Sequence, residues 1–141
     1  MRVLTFGWDY PPTRNGGLGV ACYGLTRELL DEGIDVLFVL PRTQATMGSG
    51  RFIFADQARR VKVRAVDSSL RPYQALDTRV YYIAGYDASG VPIIKSRTMM
   101  DEIHRFAHQA SLIAQEEDFD LIHAHDWSSY LAGVAAKLAS G

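Results

Sequence analysis

The sequence predicts an α/β domain, a doubly wound and mostly parallel sheet with helices on both faces. Three observations predict it. Val3 to Phe6 is an apolar run at the very N-terminus, and Leu18, Cys22, Leu25 and Leu29 then recur at helical spacing. Ile34 to Leu40 is a second run, rich in Val, Leu and Phe with little alternation, as expected of a strand covered on both faces. Near the other end, Leu121 to Ala124 reads as a strand before a helix whose inner face would be Leu131, Val134, Ala135 and Leu138. Strand, helix, strand within residues 3–40 is a βαβ unit, so its strands should be parallel with a right-handed crossover.

The first strand runs into a loop, because Pro11-Pro12 forbids helix and strand alike. Asn15-Gly16-Gly17 then leads into a helix from about Gly17 to Glu32, with Gly33 where a C′ glycine belongs. This geometry aims backbone N–H groups past the strand's carboxyl end, where a helix N-terminus favours an anion. Turn-making alone also explains a glycine pair there. There is no Gly-Lys-Ser/Thr, and the third glycine of G-x-G-x-x-G would fall on Cys22, which argues against an ATP or nicotinamide site.

Pro41 ends the second strand, and Arg42 to Gly50 has no periodicity and reads as a loop. Val61 to Ala65 alternates apolar with basic residues, the pattern of a half-exposed strand. The basic residues between Arg51 and Arg79 are interleaved with aspartates and read as a solvated face. Arg79 to Ile83 is a further strand candidate and Gly85 to Gly90 a turn-rich loop. From about Thr98 to Glu117 the pattern is helical, with Met99, Ile103, Phe106, Ala110 and Ile113 on one stripe and Asp101, Glu102, Arg105 and Gln109 off it. Thr98 and Asp101 form a capping pair. His104 and His108 lie one turn apart without a third ligand nearby and read as a solvated face.

His123-Ala-His125-Asp126-Trp127 gathers three polar groups at a strand's carboxyl end, where open α/β sheets bind ligands. In a strand the two histidines point the same way. Asp126 can cap the following helix while a buried histidine bonds backbone. His-x-His can also chelate a metal, although a third and fourth ligand are lacking.

The stretch Tyr10-Pro-Pro-Thr-Arg-Asn-Gly-Gly-Leu-Gly19 resembles the N-terminal loop of the glycogen and starch synthase-like glycosyltransferases, and Asp120-Leu-Ile-His-Ala-His-Asp-Trp127 resembles their His-x-His-Asp-Trp segment. These are retaining enzymes with two Rossmann-like domains, the GT-B architecture. The family's usual loop has lysine where this chain has Arg14, and an aspartate where it has Val20. The resemblance implies that residues 1–141 are a single Rossmann-like, acceptor-side domain, a fragment lacking the C-terminal nucleotide-binding domain. It implies transfer of a hexosyl group, glucosyl by analogy, from a nucleotide sugar such as UDP-glucose or ADP-glucose to a carbohydrate acceptor, with no other cofactor and no metal. Gly16 and Gly17 would let the backbone approach the donor diphosphate beside Arg14, and Leu18 belongs to the same binding motif. Asp126, the candidate catalytic residue, would contact sugar hydroxyls, with His125 helping to position it. A non-catalytic binding module on a flavodoxin-like fold is the alternative, and a metal hydrolase using His123 and His125 a third.

Composition agrees with a globular domain. The 141 residues are 48% hydrophobic and 22% charged. A net charge of −1 offers no attraction to nucleic acid or an anionic membrane. The single cysteine, Cys22, excludes an internal disulfide and lies on the apolar face of the first helix. No apolar run approaches the roughly 20 residues of a membrane span, and no targeting signal is visible, so the expected location is cytoplasmic.

Overall fold

The structure, a computed structural model, describes residues 1–7, 17–41, 61–66, 68 and 79–141. Its elements run β1 (Arg2–Phe6), α1 (Gly17–Asp31), β2 (Asp35–Pro41), β3 (Val61–Val66), β4 (Arg79–Tyr86), β5 (Pro92–Thr98), α2 (Met99–Glu116), β6 (Leu121–Ala124) and α3 (Trp127–Ser140). Four strands make one parallel sheet in the order β3-β2-β1-β6. β4 and β5 form a separate antiparallel ribbon.

Helices cover both faces, as the unalternating second strand requires. Leu4 and Phe6 stand level with Leu37 and Val39 and pack on one face against Met99, Ile103, Phe106 and Ala110 of α2 and Ala132 and Ala136 of α3. Phe6 meets Phe106 edge to face, with ring centroids 6.3 Å apart. On the opposite face Val36, Phe38 and Leu40 pack against Cys22 and Leu30 of α1. Cys22 is fully buried there.

The helix ends follow their local chemistry. Gly33 takes φ 82°, and the N–H groups of Gly33 and Ile34 return to the carbonyls of Leu30 and Leu29 at 3.0 and 2.9 Å. This is a Schellman motif, and its short turn feeds β2 directly. At α2, the Asp101 N–H donates to Thr98 Oγ1 at 3.2 Å while the Thr98 N–H donates to Asp101 Oδ2 at 2.7 Å, a complete capping box.

Several expectations change. β5 is a strand that the sequence reading left unassigned. Its partner β4 runs on to Tyr86, with a register shift between Ile83 and Gly85, so the expected turn-rich loop narrows to Asp87–Val91 and joins β4 to β5 as a hairpin. Glu102, placed off the stripe of α2, is buried, because Arg97, Arg105 and the Ser68 hydroxyl surround its carboxylate. The inner face of α3 is rotated. Ser128, Ser129, Ala132 and Ala136 are buried, whereas Val134 and Leu138 are exposed. Small residues let α3 lie close against α2 and β6, and the larger ones line a groove of about 1050 Å³ beside the outer edge of β6. In α1, likewise, Leu25 is exposed and Thr26 faces inward, its hydroxyl donating to the Cys22 carbonyl at 2.8 Å. Lys62 and Arg64 do not simply face solvent. Together with Arg2 they converge on Glu117 just after α2. The expected loops at 11–12 and 42–50 lie outside the described residues. No described helix is long and apolar enough to cross a membrane.

Candidate functional site

The strand order reverses beside β1. From β1 the chain passes through α1 to β2 and β3 on one side, while β6 pairs on the other. The carboxyl ends of β1 and β6 therefore flank a topological switch point, the usual crevice for ligands in such sheets. α1 ends beside the start of β2, so its N-terminus with Gly17 lies toward the same carboxyl ends.

β6 delivers the two histidines. Register places His123 beside Thr5 on the α1 face of the sheet. The His125 N–H donates to the Phe6 carbonyl at 2.9 Å, which carries the ladder one residue beyond the strand. The two imidazoles lie 4.1 Å apart, and His125 runs nearly parallel to the Phe38 ring at 6.2 Å. Burial, with a smaller contribution from neighbouring His123, lowers the His125 pKa from 6.5 to about 4. His125 is thus a neutral imidazole at neutral pH, fit to donate or accept hydrogen bonds rather than to carry charge.

Gly7 follows β1 in the same place, and its N–H donates to the Val39 carbonyl at 3.2 Å. A Cβ at Gly7 would stand 3.0 Å from the Phe38 ring, which stacks on His125. Glycine here leaves room for that ring.

Asp126 caps α3, its Oδ1 accepting from the Trp127 N–H at 2.6 Å. It is also the only non-glycine among the described residues with positive φ, at φ 70° and ψ 156°. That region belongs almost entirely to glycine, and a residue with a Cβ enters it only when its surroundings hold it there. Ser129, fully buried one turn into α3, donates through Oγ to the His125 carbonyl and lies 3.0 Å from that of Asp126. Its N–H donates to the Asp126 carbonyl, also at 3.0 Å.

The structure therefore brings His125 and Asp126 together at the switch point. Gly17 is the first residue of α1, and a Cβ placed on it would meet nothing within 4 Å among the described residues. Leu18 is partly buried against both cores, which seats the first turn of α1 on the sheet. Arg14 and Gly16 lie outside the described residues.

Three participants escaped the sequence reading. Phe38 carries no signal beyond its strand. Thr5 could have been noticed as a polar residue inside an apolar run, and its buried hydroxyl has no hydrogen-bond partner among the described residues. Ser129 could have been noticed three residues after a capping aspartate. Among the described residues, no three His, Cys, Asp or Glu side chains cluster as a metal would need. The groove beside β6 is lined by neither His125 nor Asp126.

No curated protein and no solved structure matches this chain. A family model does, the starch synthase catalytic domain, over residues 2–141. Both the glycine loop before α1 and the His-x-His-Asp-Trp segment fall within that match, and the parallel sheet with helices on both faces agrees with it, so the chain belongs to the starch synthase catalytic domain family of glycosyltransferases.

Proposed function

We propose that this domain is the acceptor-side half of a retaining glycosyltransferase that moves a glucosyl group from UDP-glucose or ADP-glucose to a carbohydrate acceptor. In the reaction, the bond from the anomeric carbon to the diphosphate oxygen breaks and its electron pair leaves with the diphosphate. An acceptor hydroxyl oxygen forms the new bond and gives up its proton to the departing diphosphate or to water. The work left to the protein is positioning and charge stabilisation.

Asp126 and His125 form the sugar-facing group in this reading. The observation that carries it is the backbone of Asp126, a carboxylate held in a glycine-like conformation at the switch point. Strain of this kind clusters at functional sites. Oδ1 is engaged by the Trp127 N–H, while Oδ2 has no hydrogen bond within the described residues and remains for a sugar hydroxyl. Neutral His125 adds a group that can bond a hydroxyl without attracting the anionic diphosphate. On the donor side, Arg14 supplies charge, and the N–H groups at Gly16 and Gly17 approach the diphosphate at the positive end of α1.

The test is Asp126→Asn in the complete enzyme carrying this domain, with labelled UDP-glucose or ADP-glucose as donor and a glucan as acceptor. Asn tolerates unusual backbone conformations, so the fold should persist. Turnover should fall about a hundredfold or more, as when a transition-state contact is lost. Full activity in this variant would remove Asp126 from the mechanism.

A further inference from the structure

We infer that Ser129 is the positioning residue of this site, holding Asp126 in its working conformation through the carbonyls of His125 and Asp126. The inference rests on the reading that Asp126 contacts the sugar.

Ser129 is 0% exposed, so it touches no substrate and can act only through its neighbours. The conformation of Asp126 is unfavourable for a residue with a Cβ. Something must oppose its relaxation. On the strand side, the His125 N–H is fixed to the Phe6 carbonyl at 2.9 Å. On the helix side, Ser129 contacts both carbonyls. The Ser129 N–H holds the Asp126 carbonyl at 3.0 Å, and Oγ donates to the His125 carbonyl while lying 3.0 Å from that of Asp126. Both peptide groups around the strained residue are thus gripped from the first turn of α3. The bond from Asp126 Oδ1 to the Trp127 N–H restrains only the peptide that follows Asp126, whereas Ser129 also holds the His125 carbonyl of the peptide before it.

A serine in a helix commonly bonds the carbonyl four residues back, and His125 stands at that distance. If that were all, removing the hydroxyl would change stability slightly and catalysis not at all. What distinguishes Ser129 is that its two carbonyls bracket the strained φ and ψ.

The experiment uses the complete enzyme, assayed with UDP-glucose and ADP-glucose on a glucan. Ser129→Ala removes the hydroxyl, Ser129→Cys keeps nearly the volume with a weak donor, and Ser129→Thr keeps the hydroxyl. Ala and Cys should both lower kcat roughly ten- to hundredfold with little change in KM, the signature of a misplaced transition-state contact. Thr should restore most of it. A crystal structure of the Ala variant should show the Asp126 φ leaving positive values. Should Thr fail to fold, the Cys variant still separates volume from hydrogen bonding. Unchanged kcat in the Ala and Cys variants, while Asp126→Asn is inactive, overturns this inference alone. So does a loss of activity that only follows the unfolded fraction. Full activity in Asp126→Asn overturns the reading beneath it as well.

Discussion

An imidazole half buried close to a second imidazole and a phenyl ring has poor access to the water that would solvate its charge. His125 is in that position, and its pKa falls to about 4. The unfolded chain takes up this proton near pH 6.5 and the folded chain does not, so its neutral state favours folding above that pH. That contribution should fade as pH falls from 6.5 towards 4. Melting curves across this window should show a shallower decline for His125→Gln than for the parent, and parallel declines would mean that His125 titrates normally. Thr5 makes a second residue-scale test. Its buried hydroxyl has no partner among the described residues, so Thr5→Val, nearly equal in shape, should stabilise by roughly 1 kcal/mol in urea denaturation. A loss of stability would reveal a partner for that hydroxyl. His125 and Asp126 were legible in the sequence because they sit next to each other after an apolar run. Phe38 and Ser129 were not, since register and a helical turn bring them to the site.

At the scale of elements, α3 fits closely on β6. A Cβ on Gly133 would lie 3.1 Å from the Ala124 Cβ and 3.7 Å from Ile122 Cγ2. Gly133→Val should therefore push α3 off the strand and destabilise by about 1–3 kcal/mol, whereas an unchanged melting temperature would show that the two elements yield easily. At the far end of the sheet, Glu117 ties β1, β3 and the end of α2 together through Arg2, Lys62 and Arg64. The Lys62 hydrogen bond first, then the charges of Lys62, Arg2 and Arg64, holds its carboxyl below the usual range. The resulting stability is present above the ordinary carboxyl range and fades as acid protonates the group. Glu117→Gln should lower the melting temperature by several degrees at neutral pH, since about 1 kcal/mol is typical for a charge shared in a network. The difference should shrink in 1 M salt. Periodicity revealed α1, α2 and α3, but it misplaced the inner face of α3. Of the expected inner face, Leu131 packs against the core, while Val134 and Leu138 face out and close approach to α2 and β6 selects serine, alanine and glycine instead. The β4–β5 ribbon was half hidden for a similar reason. Tyr81, Ile83, Ile93 and Ile94 are exposed, so no inside–outside alternation marks it.

For the whole molecule, the proposed reading makes Asp126 and the start of α1 one wall of a cleft within which donor and acceptor would have to be held together. We expect the 141-residue chain alone to transfer no glucose. It should bind UDP-glucose and ADP-glucose only in the high-micromolar to millimolar range, as a few exposed polar contacts allow. Calorimetric titration and a labelled-donor assay on a verified monomer would settle this. Tight binding or turnover would show the site to be complete as it stands. The fold class was legible from the opening strand–helix–strand unit and the closing strand–helix pair. The order β3-β2-β1-β6 was not, because no local pattern states which strand sits beside β1.

That order has a consequence for how the protein comes to be folded. Val3 pairs with Val36 on one side and with Leu121 on the other, so β1 is completed only when β6, far along the chain, has been made. Until Leu121 leaves the ribosome, β1 offers an open row of N–H and C=O groups flanked by apolar side chains, the kind of edge that recruits other chains. Closing so long a loop before its contacts form makes folding slow. A chain cut after Asp118 should thus collect in aggregates during expression, even though it retains α1, α2 and three of the four sheet strands. If it stays monomeric with a cooperative melt, the β1–β6 pairing is dispensable for folding.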